Sequence, residues 1–320
     1  MGVAAKMMPA ADRQYRLVTR SDMDGLVCAV LLKQIGVCDQ VDFAHPKDMQ
    51  DGAVAIGPDD ITTNLPYVEG VYMAFDHHDS EAERVQGAPD NHIIDITALS
   101  AARVVYDYFG GASAFPASFD PMMEAVDKAD AAQFTQQDVL DPQGWELLSF
   151  LMDARTGLGR FREFRVSNYQ LMMQLIDYCR ETPDIEAILA LPDVAERVDL
   201  FRAQEPLFRE QLKKCSTVHD NLVVLDIREE DPIHAGNRFL IYALFPETNI
   251  SIHVLWGKGK QNTVFATGKS ILNRSSRTHV GKLMLEHGGG GHTAAGTCQV
   301  DNDRAPEVLA ELIARITADG

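Results

Sequence analysis

The stretch Phe75-Asp76-His77-His78-Asp79-Ser80-Glu81 sets two adjacent histidines among carboxylates, directly after the apolar run Val71-Tyr72-Met73-Ala74-Phe75. An apolar run that stops on such a cluster reads as a buried strand ending in chemistry, because ligands of open α/β sheets gather beyond the carboxyl ends of the strands. Imidazole and carboxylate together suit a divalent cation such as zinc or manganese. Alone, the cluster also fits a solvated surface turn. Its partners elsewhere in the chain decide.

One partner is Ser21-Asp22-Met23-Asp24-Gly25, two carboxylates one residue apart at the head of an apolar helix. A helix N-terminus favours acidic side chains, so capping explains one aspartate well and the second less well. Another is the helix Met122 to Asp130, which puts Asp127 and Asp130 on one face because residues three apart are neighbours there. The last is Gly288-Gly289-Gly290-Gly291-His292. Consecutive glycines lose the most entropy on ordering, and a reason to order them is a nest of amides that closes on an anion. Arg274, followed by Ser275, offers a planar fork suited to phosphate.

The elements that must position these groups follow in order. Arg16-Leu17-Val18-Thr19 reads as a buried strand, followed by a helix from Gly25 that Gly36 stops. Further strands are expected at Val41–His45, Ala53–Ile56, Val71–Phe75 and Asn91–Asp95, with a helix over Ser100–Phe109. Strands alternating with helices predict an α/β fold with a doubly wound parallel sheet. Helical patterns run from Trp145 to Tyr178, broken at Thr156-Gly157-Leu158-Gly159, then over Asp184–Leu191 and Val194–Lys214. From Leu222 the texture changes to strands: Leu222–Leu225, Phe239–Leu244, Ile250–Val254, Val264–Thr267 and 268–274, with a short helix at Val280–Glu286. This predicts a smaller C-terminal α/β domain with a mixed sheet. The expected division is 1–190, a connecting helix 191–215, and 216–320.

Composition narrows the class. At 320 residues, two domains are the default. No window approaches the ~20 apolar residues of a membrane span, and the N-terminus lacks a secretory core. Five scattered cysteines without a CxxC pair read as reduced thiols of a cytoplasmic protein. The net charge of −18 arises in residues 1–200, where 33 acidic residues face 15 basic ones. Duplex nucleic acid is a poor partner for such a surface. Between Glu247 and Glu286 no acidic residue occurs, while Lys258, Lys260, Lys269, Arg274, Arg277 and Lys282 do. That run would receive an anion. A basic island, Arg155, Arg160, Arg162 and Arg165, reads mostly as a salt-bridged surface.

Taken in order, Asp-x-Asp-Gly at 22–25, Asp-His-His at 76–78, an aspartate at 130 and Gly-Gly-Gly-Gly-His at 288–292 resemble the DHH superfamily of phosphoesterases with its DHH-associated C-terminal domain. The resemblance runs from about residue 15 to about residue 300 and points to the exopolyphosphatase-related branch. It implies a metal-binding catalytic domain, a substrate-binding C-terminal domain and a cleft between them. The metal set it implies is Asp22, Asp24, Asn64, Asp76, His77 and Asp130, holding one or two ions, manganese first and magnesium as the alternative. Asp24, His77 and Asp130 would share one ion, and Asp22 would belong to a second. His78 and Asp127 would be the acid–base groups, and Arg274, Ser275, Gly289, Gly290, Gly291 and His292 would hold the substrate phosphate. Two positions depart from the pattern: Val18 stands where many members have a ligand histidine, and Asn64 where a bridging aspartate is usual, with Asp59 or Asp60 as substitutes to consider. The expected activity is metal-dependent hydrolysis of a phosphoanhydride or phosphodiester in polyphosphate, a small nucleotide or a short oligonucleotide. The alternative is a degenerate member that binds a phosphorylated ligand without turnover. A small phosphorylated substrate is the expected partner, with no duplex nucleic acid and no membrane; the sequence also allows a homodimer.

Overall fold

A computed structural model describes residues 7–10 and 13–320, apart from 86 and 88. The chain divides into two compact units. The first holds the residues up to Gln133 with Gln143–Ala154 and Leu158–Val198; the second holds Phe134–Pro142, Arg155–Gly157 and Asp199–Gly320.

The first unit runs β1 (Tyr15–Thr19), α1 (Met23–Gln34), β2 (Cys38–Phe43), α2 (Pro46–Gln50), β3 (Asp60–Thr63), β4 (Met73–Asp76), α3 (Asp79–Arg84), β5 (His92–Ile94), α4 (Ala101–Tyr108) and α5 (Asp120–Asp130). After α6 (Gln136–Leu140), which belongs to the second unit, come α7 (Gly144–Met152), α8 (Asn168–Glu181), α9 (Ile185–Leu189) and α10 (Pro192–Cys215), inside which the division falls. The five strands form an all-parallel sheet in the order β2-β1-β3-β4-β5. The order reverses between β1 and β3, the switch point where open α/β sheets place their ligands. Thr19 lies beside Thr63, Thr63 beside Phe75, and Asp76 beside Ile94, so the residues after all four strands leave at one edge.

Helix α1 is buried on nearly every side, from Met23 to Leu32. A helix apolar all round belongs inside a core, and α1 packs among α4, α5 and α8. This central helix carries Asp24.

One strand expectation fails here, and the strand that takes its place carries no apolar signal. Ala53–Ile56 is irregular, and the third strand is β3, Asp60-Ile61-Thr62-Thr63. Its polar residues are all buried, and the neighbouring strand satisfies two of them: Arg16 holds Asp60 bidentately (2.8 and 2.9 Å), and Thr63 Oγ1 donates to Thr19 Oγ1 (2.7 Å), while Thr62 Oγ1 has no hydrogen-bond partner. A strand whose polarity is neutralised by the adjacent strand shows no apolar run.

The second unit adds β6 (Ser216–His219), β7 (Leu222–Asp226), α11 (Leu240–Leu244), β8 (Ile250–Trp256), β9 (Thr263–Lys269), α12 (Val280–Glu286), β10 (Gly290–Gly291), β11 (Ala295–Val300) and α13 (Ala305–Asp319). Its six-stranded mixed sheet runs β10-β11-β9-β8-β7-β6, with only β7 and β8 parallel. Ile252, Val254, Phe265, Met284, Val308, Leu312 and Ile316 share its core. Phe239–Leu244 is not a strand but leads into α11; a short, fully apolar run fits a buried helix equally well. The strand expected over 268–274 ends at Lys269, where Ser270 Oγ accepts the amides of Leu272 and Asn273 (3.2 and 3.0 Å) and turns the chain. Among the described residues no helix is long and apolar enough to cross a membrane.

Candidate metal centre

The turn after β1 is built for close approach. A Cβ on Gly25 would collide with the Arg20 carbonyl, so only glycine lets α1 start this near the strand. Asp22 caps α1, accepting the Gly25 amide at 3.0 Å. Its carboxylate also meets Arg20 Nε (3.0 Å) and Asn64 Nδ2 (3.3 Å). Capping and charge pairing therefore occupy Asp22.

Asp24 points the other way, into the core, with 2% of its surface exposed. It lies against the N-terminus of α4: Oδ2 accepts the amide of Ala101 (3.0 Å) and Oδ1 that of Ala102 (2.7 Å). A helix N-terminus is a natural seat for an anion. Burial, with Asp130 and Asp22 nearby, pushes the Asp24 carboxyl well above the usual aspartate range, against the pull of His77 and the Ala102 amide.

His77 follows β4, and its Nε2 lies 2.8 Å from Asp130 Oδ2 at the end of α5. The contact is an ion pair out of hydrogen-bond alignment. Nδ1 lies 3.3 Å from the Ala98 carbonyl oxygen, a contact that fixes the ring. Burial opposes protonation of this ring, yet Asp130, Asp24 and Asp76 outweigh it and push its pKa up to about 9. Neighbouring carboxylates contribute to both shifts, with burial leading at Asp24. Asp24, His77 and Asp130 bring a ligand atom each within 4.8 Å of one another, and so do Asp76, His77 and His78.

Asp76 is 1% exposed, and its Oδ1 accepts the His77 amide (2.9 Å) and lies 2.7 Å from His78 Nδ1. That carboxylate holds the half-exposed His78 ring by one nitrogen and leaves Nε2 for other work. Asn64, just beyond β3, has a left-handed backbone (φ 54°), which asparagine tolerates.

Two buried oxygens at this edge, Asn64 Oδ1 and Asp76 Oδ2, have no hydrogen-bond partner, and His77 Nε2 has the unaligned contact to Asp130. Leaving such groups unsatisfied costs about 1–3 kcal/mol each. These two oxygens and the imidazole of His77, which is grouped with Asp24 and Asp130, are the kinds of donor that a divalent cation takes. The residues fit a metal.

Other positions resolve differently. Val18 is wholly buried in an apolar cluster with Met49 and Leu65, so that position is packing. Asp59 and Asp60 do not replace Asn64: they stand at the start of β3, roughly 13 Å from its end at the rise of an extended strand. Asp59 pairs with Arg13 and Asp60 with Arg16. Asp127 accepts Ser100 Oγ (2.7 Å) and Arg103 Nε and Nη2 (2.9 and 2.6 Å). Ser100 also caps α4 through the Arg103 amide (3.0 Å). Ser100 and Arg103 thus tie α5 to the helix end that holds Asp24, and sequence reasoning did not single them out. A signal existed, since Arg84 and Arg103 are the only arginines or lysines between positions 51 and 127.

In the second unit, Arg274 and Ser275 lie just past β9. Arg274 Nε donates to the Ile271 carbonyl (3.2 Å), and Ser275 Oγ donates to Asn273 Oδ1 (2.8 Å). The glycine run has a packing explanation. The amides of Gly288 and Gly289 donate to Leu285 and Met284 carbonyls (3.0 and 2.9 Å) and close the end of α12, while Gly290 and Gly291 pair with β11. The first two amides are not open to an anion. A Cβ on Gly289 would strike the Thr297 carbonyl. The Gly289→Ala variant is expected to unfold at lower denaturant concentration by about 2 kcal/mol whether or not phosphate is present. A loss of phosphate binding at unchanged stability would restore the nest. His292 is exposed, and its Nδ1 accepts the Ala294 amide at 3.3 Å.

No family model and no curated protein matches the chain. A solved structure does: the pGpG-specific phosphodiesterase PggH from Vibrio cholerae is 60% identical, over 96% of this chain and 100% of that one, with a TM-score of 0.84. The chain belongs to the DHH superfamily of phosphoesterases. It is accordingly a hydrolase of phosphoric esters, with the all-parallel sheet and the separate mixed sheet described above. More distant likenesses are RecJ in complex with Mn2+ from Thermus thermophilus (11% identity, 96% of this chain and 52% of that one, TM-score 0.44) and CDC45 from Entamoeba histolytica (7%, 95% and 95%, 0.49). At those scores they carry no argument about the site.

Proposed function

We propose that this DHH protein is a metal-dependent phosphodiesterase that cleaves pGpG, a linear guanosine dinucleotide, into two molecules of GMP. The observation that carries the proposal is the grouping of Asp24, His77 and Asp130, and of Asp76, His77 and His78, with ligand atoms within 4.8 Å in each set, where Asn64 Oδ1 and Asp76 Oδ2 are buried without a hydrogen-bond partner. The 60% identity to a pGpG-specific phosphodiesterase supports the choice of substrate.

Asp24, His77 and Asp130 would hold the principal ion, with Asp76 and Asn64 offering their remaining oxygens. Manganese suits this mixture of imidazole and carboxylate better than magnesium. A bound ion supplies a water acidified toward hydroxide and positive charge for the transition state. A second ion would be weakly held, because Asp22 already pairs with Arg20 and Asn64 brings no charge. His78, fixed through Asp76, would donate a proton to the departing ribose oxygen when water attacks phosphorus in line. Asp127, saturated by Ser100 and Arg103, would position the helix end under Asp24 and carry no proton itself. For the second unit we propose phosphate binding by Arg274 and His292.

The test is release of GMP from pGpG by the purified full-length protein. Mn2+ is expected to support turnover, a chelator to abolish it, and restored Mn2+ to recover at least about tenfold more activity than Mg2+ at equal concentration. Binding of pGpG with Mn2+ but no product from it, polyphosphate or pyrophosphate would move the protein to the binding-only alternative that Val18 and Asn64 suggest.

A further inference from the structure

The loop after β5 lies beside the metal centre and is tied down along its length. The Asp95 amide donates to the Asp76 carbonyl (3.2 Å), and the Asp95 carboxylate accepts both the amide and the hydroxyl of Thr97 (2.9 and 2.7 Å). The Ala98 amide returns to the Asp95 carbonyl (3.1 Å), the Ala98 carbonyl faces His77 Nδ1, and Ser100 caps α4. Yet this fixed loop leaves Ile96 54% and Leu99 39% exposed. A single exposed leucine needs no explanation. Two large aliphatic side chains within four residues, flanking the residue that touches His77, do.

We propose that Ile96 and Leu99 form an apolar platform for the nucleobase next to the scissile phosphate, making them substrate-positioning residues for the hydrolysis. The inference rests on the phosphodiesterase reading above. A phosphate held at Asp24, His77 and Asp130 carries its ribose and base only a few bonds away, and this loop touches His77 directly through the Ala98 carbonyl (3.3 Å). Purine faces are broad and apolar, and covering them with aliphatic surface is favourable in proportion to the area removed from water. The loop is already ordered, so binding would not have to pay for fixing it. The contact reads a face, not a hydrogen-bonding edge. It would therefore strengthen binding of any dinucleotide without choosing guanine.

The experiment uses the full-length protein with Mn2+ and compares wild type with Ile96→Ser, Leu99→Ser and the double variant, and with the conservative pair Ile96→Leu and Leu99→Met. The substrates are pGpG and 5′-phosphorylated analogues in which either base is replaced by an abasic ribose. In the double variant KM for pGpG is expected to rise about tenfold. Mn2+ affinity by calorimetry stays at the wild-type value, and KM for one abasic analogue changes much less. The conservative variants keep the wild-type KM. An unchanged KM for pGpG overturns the proposal, as does an equal loss on pGpG and both abasic analogues. A change of oligomeric state in the double variant at unchanged KM overturns it in favour of a contact between copies. If the wild type turns over no pGpG, the reaction reading fails by itself; the platform is then decided by pGpG binding to the same variants in Mn2+.

Discussion

The Asp24→Asn variant is expected to lose about a thousandfold in phosphodiester turnover while remaining folded. Asparagine keeps one carbonyl oxygen for an α4 amide but presents an NH2 group where Asp24 accepts the other, an exchange that costs about 1–3 kcal/mol. Against this, the substitution removes a buried negative charge crowded by Asp130 and Asp22, which is a gain. The two terms oppose each other, so the metal-free variant melts close to the metal-free wild type. The difference appears on adding Mn2+. An ion that binds only the folded state raises the melting temperature in proportion to its affinity, and the variant should show little of that rise. More than a tenth of wild-type activity, or an equal Mn2+ shift in Tm, would remove Asp24 from the centre.

The second large effect is on stability. Asp127→Ala strips Arg103 of its carboxylate and Ser100 of its acceptor in one step. Breaking a buried pair costs about 3–5 kcal/mol, and because the Arg103 side chain keeps 27% exposure the loss falls below that range, to about 2–3 kcal/mol in urea unfolding. Asp127→Asn keeps the Ser100 bond and should lose roughly half of that. Turnover falls in both because the helix end beneath Asp24 is loosened, but the pH–rate profile keeps its shape. Disappearance of one limb of that profile would instead identify Asp127 as a proton carrier. A stability loss under about 1 kcal/mol would contradict the hydrogen-bond network itself.

The residues proposed for the metal stood out in the sequence because their types are out of place. Nothing about burying α1 calls for Asp24, and nothing about ending β4 calls for two histidines, so both stood out against the apolar pattern. Asp22 stood out in the same way, and in the structure it caps α1 and pairs with Arg20; spacing alone does not separate a ligand from a cap two residues earlier. The strand β3 was hidden because Arg16 and Thr19, on the neighbouring strand, absorb its polarity. Helix α11 was hidden for the opposite reason, being apolar throughout. The glycine run signalled close backbone approach, and the structure supplies that approach within its own hairpin at Gly289. Ser100 and Arg103 matter through what they touch across 24–27 positions of sequence, a relation that periodicity does not record.

The two amides that α4 lends to Asp24 have a further consequence for how the enzyme matures. Many small metal domains stay unfolded until the ion arrives, because their ligands repel one another without it. Here the carboxylate of Asp24, 2% exposed, is held by two amides at the end of a helix, hydrogen bonds that involve no ion. If the proposed ion binds there, loading would be a local exchange within a finished fold, and the metal-free protein is expected to give the same far-ultraviolet circular dichroism as the Mn2+-loaded one.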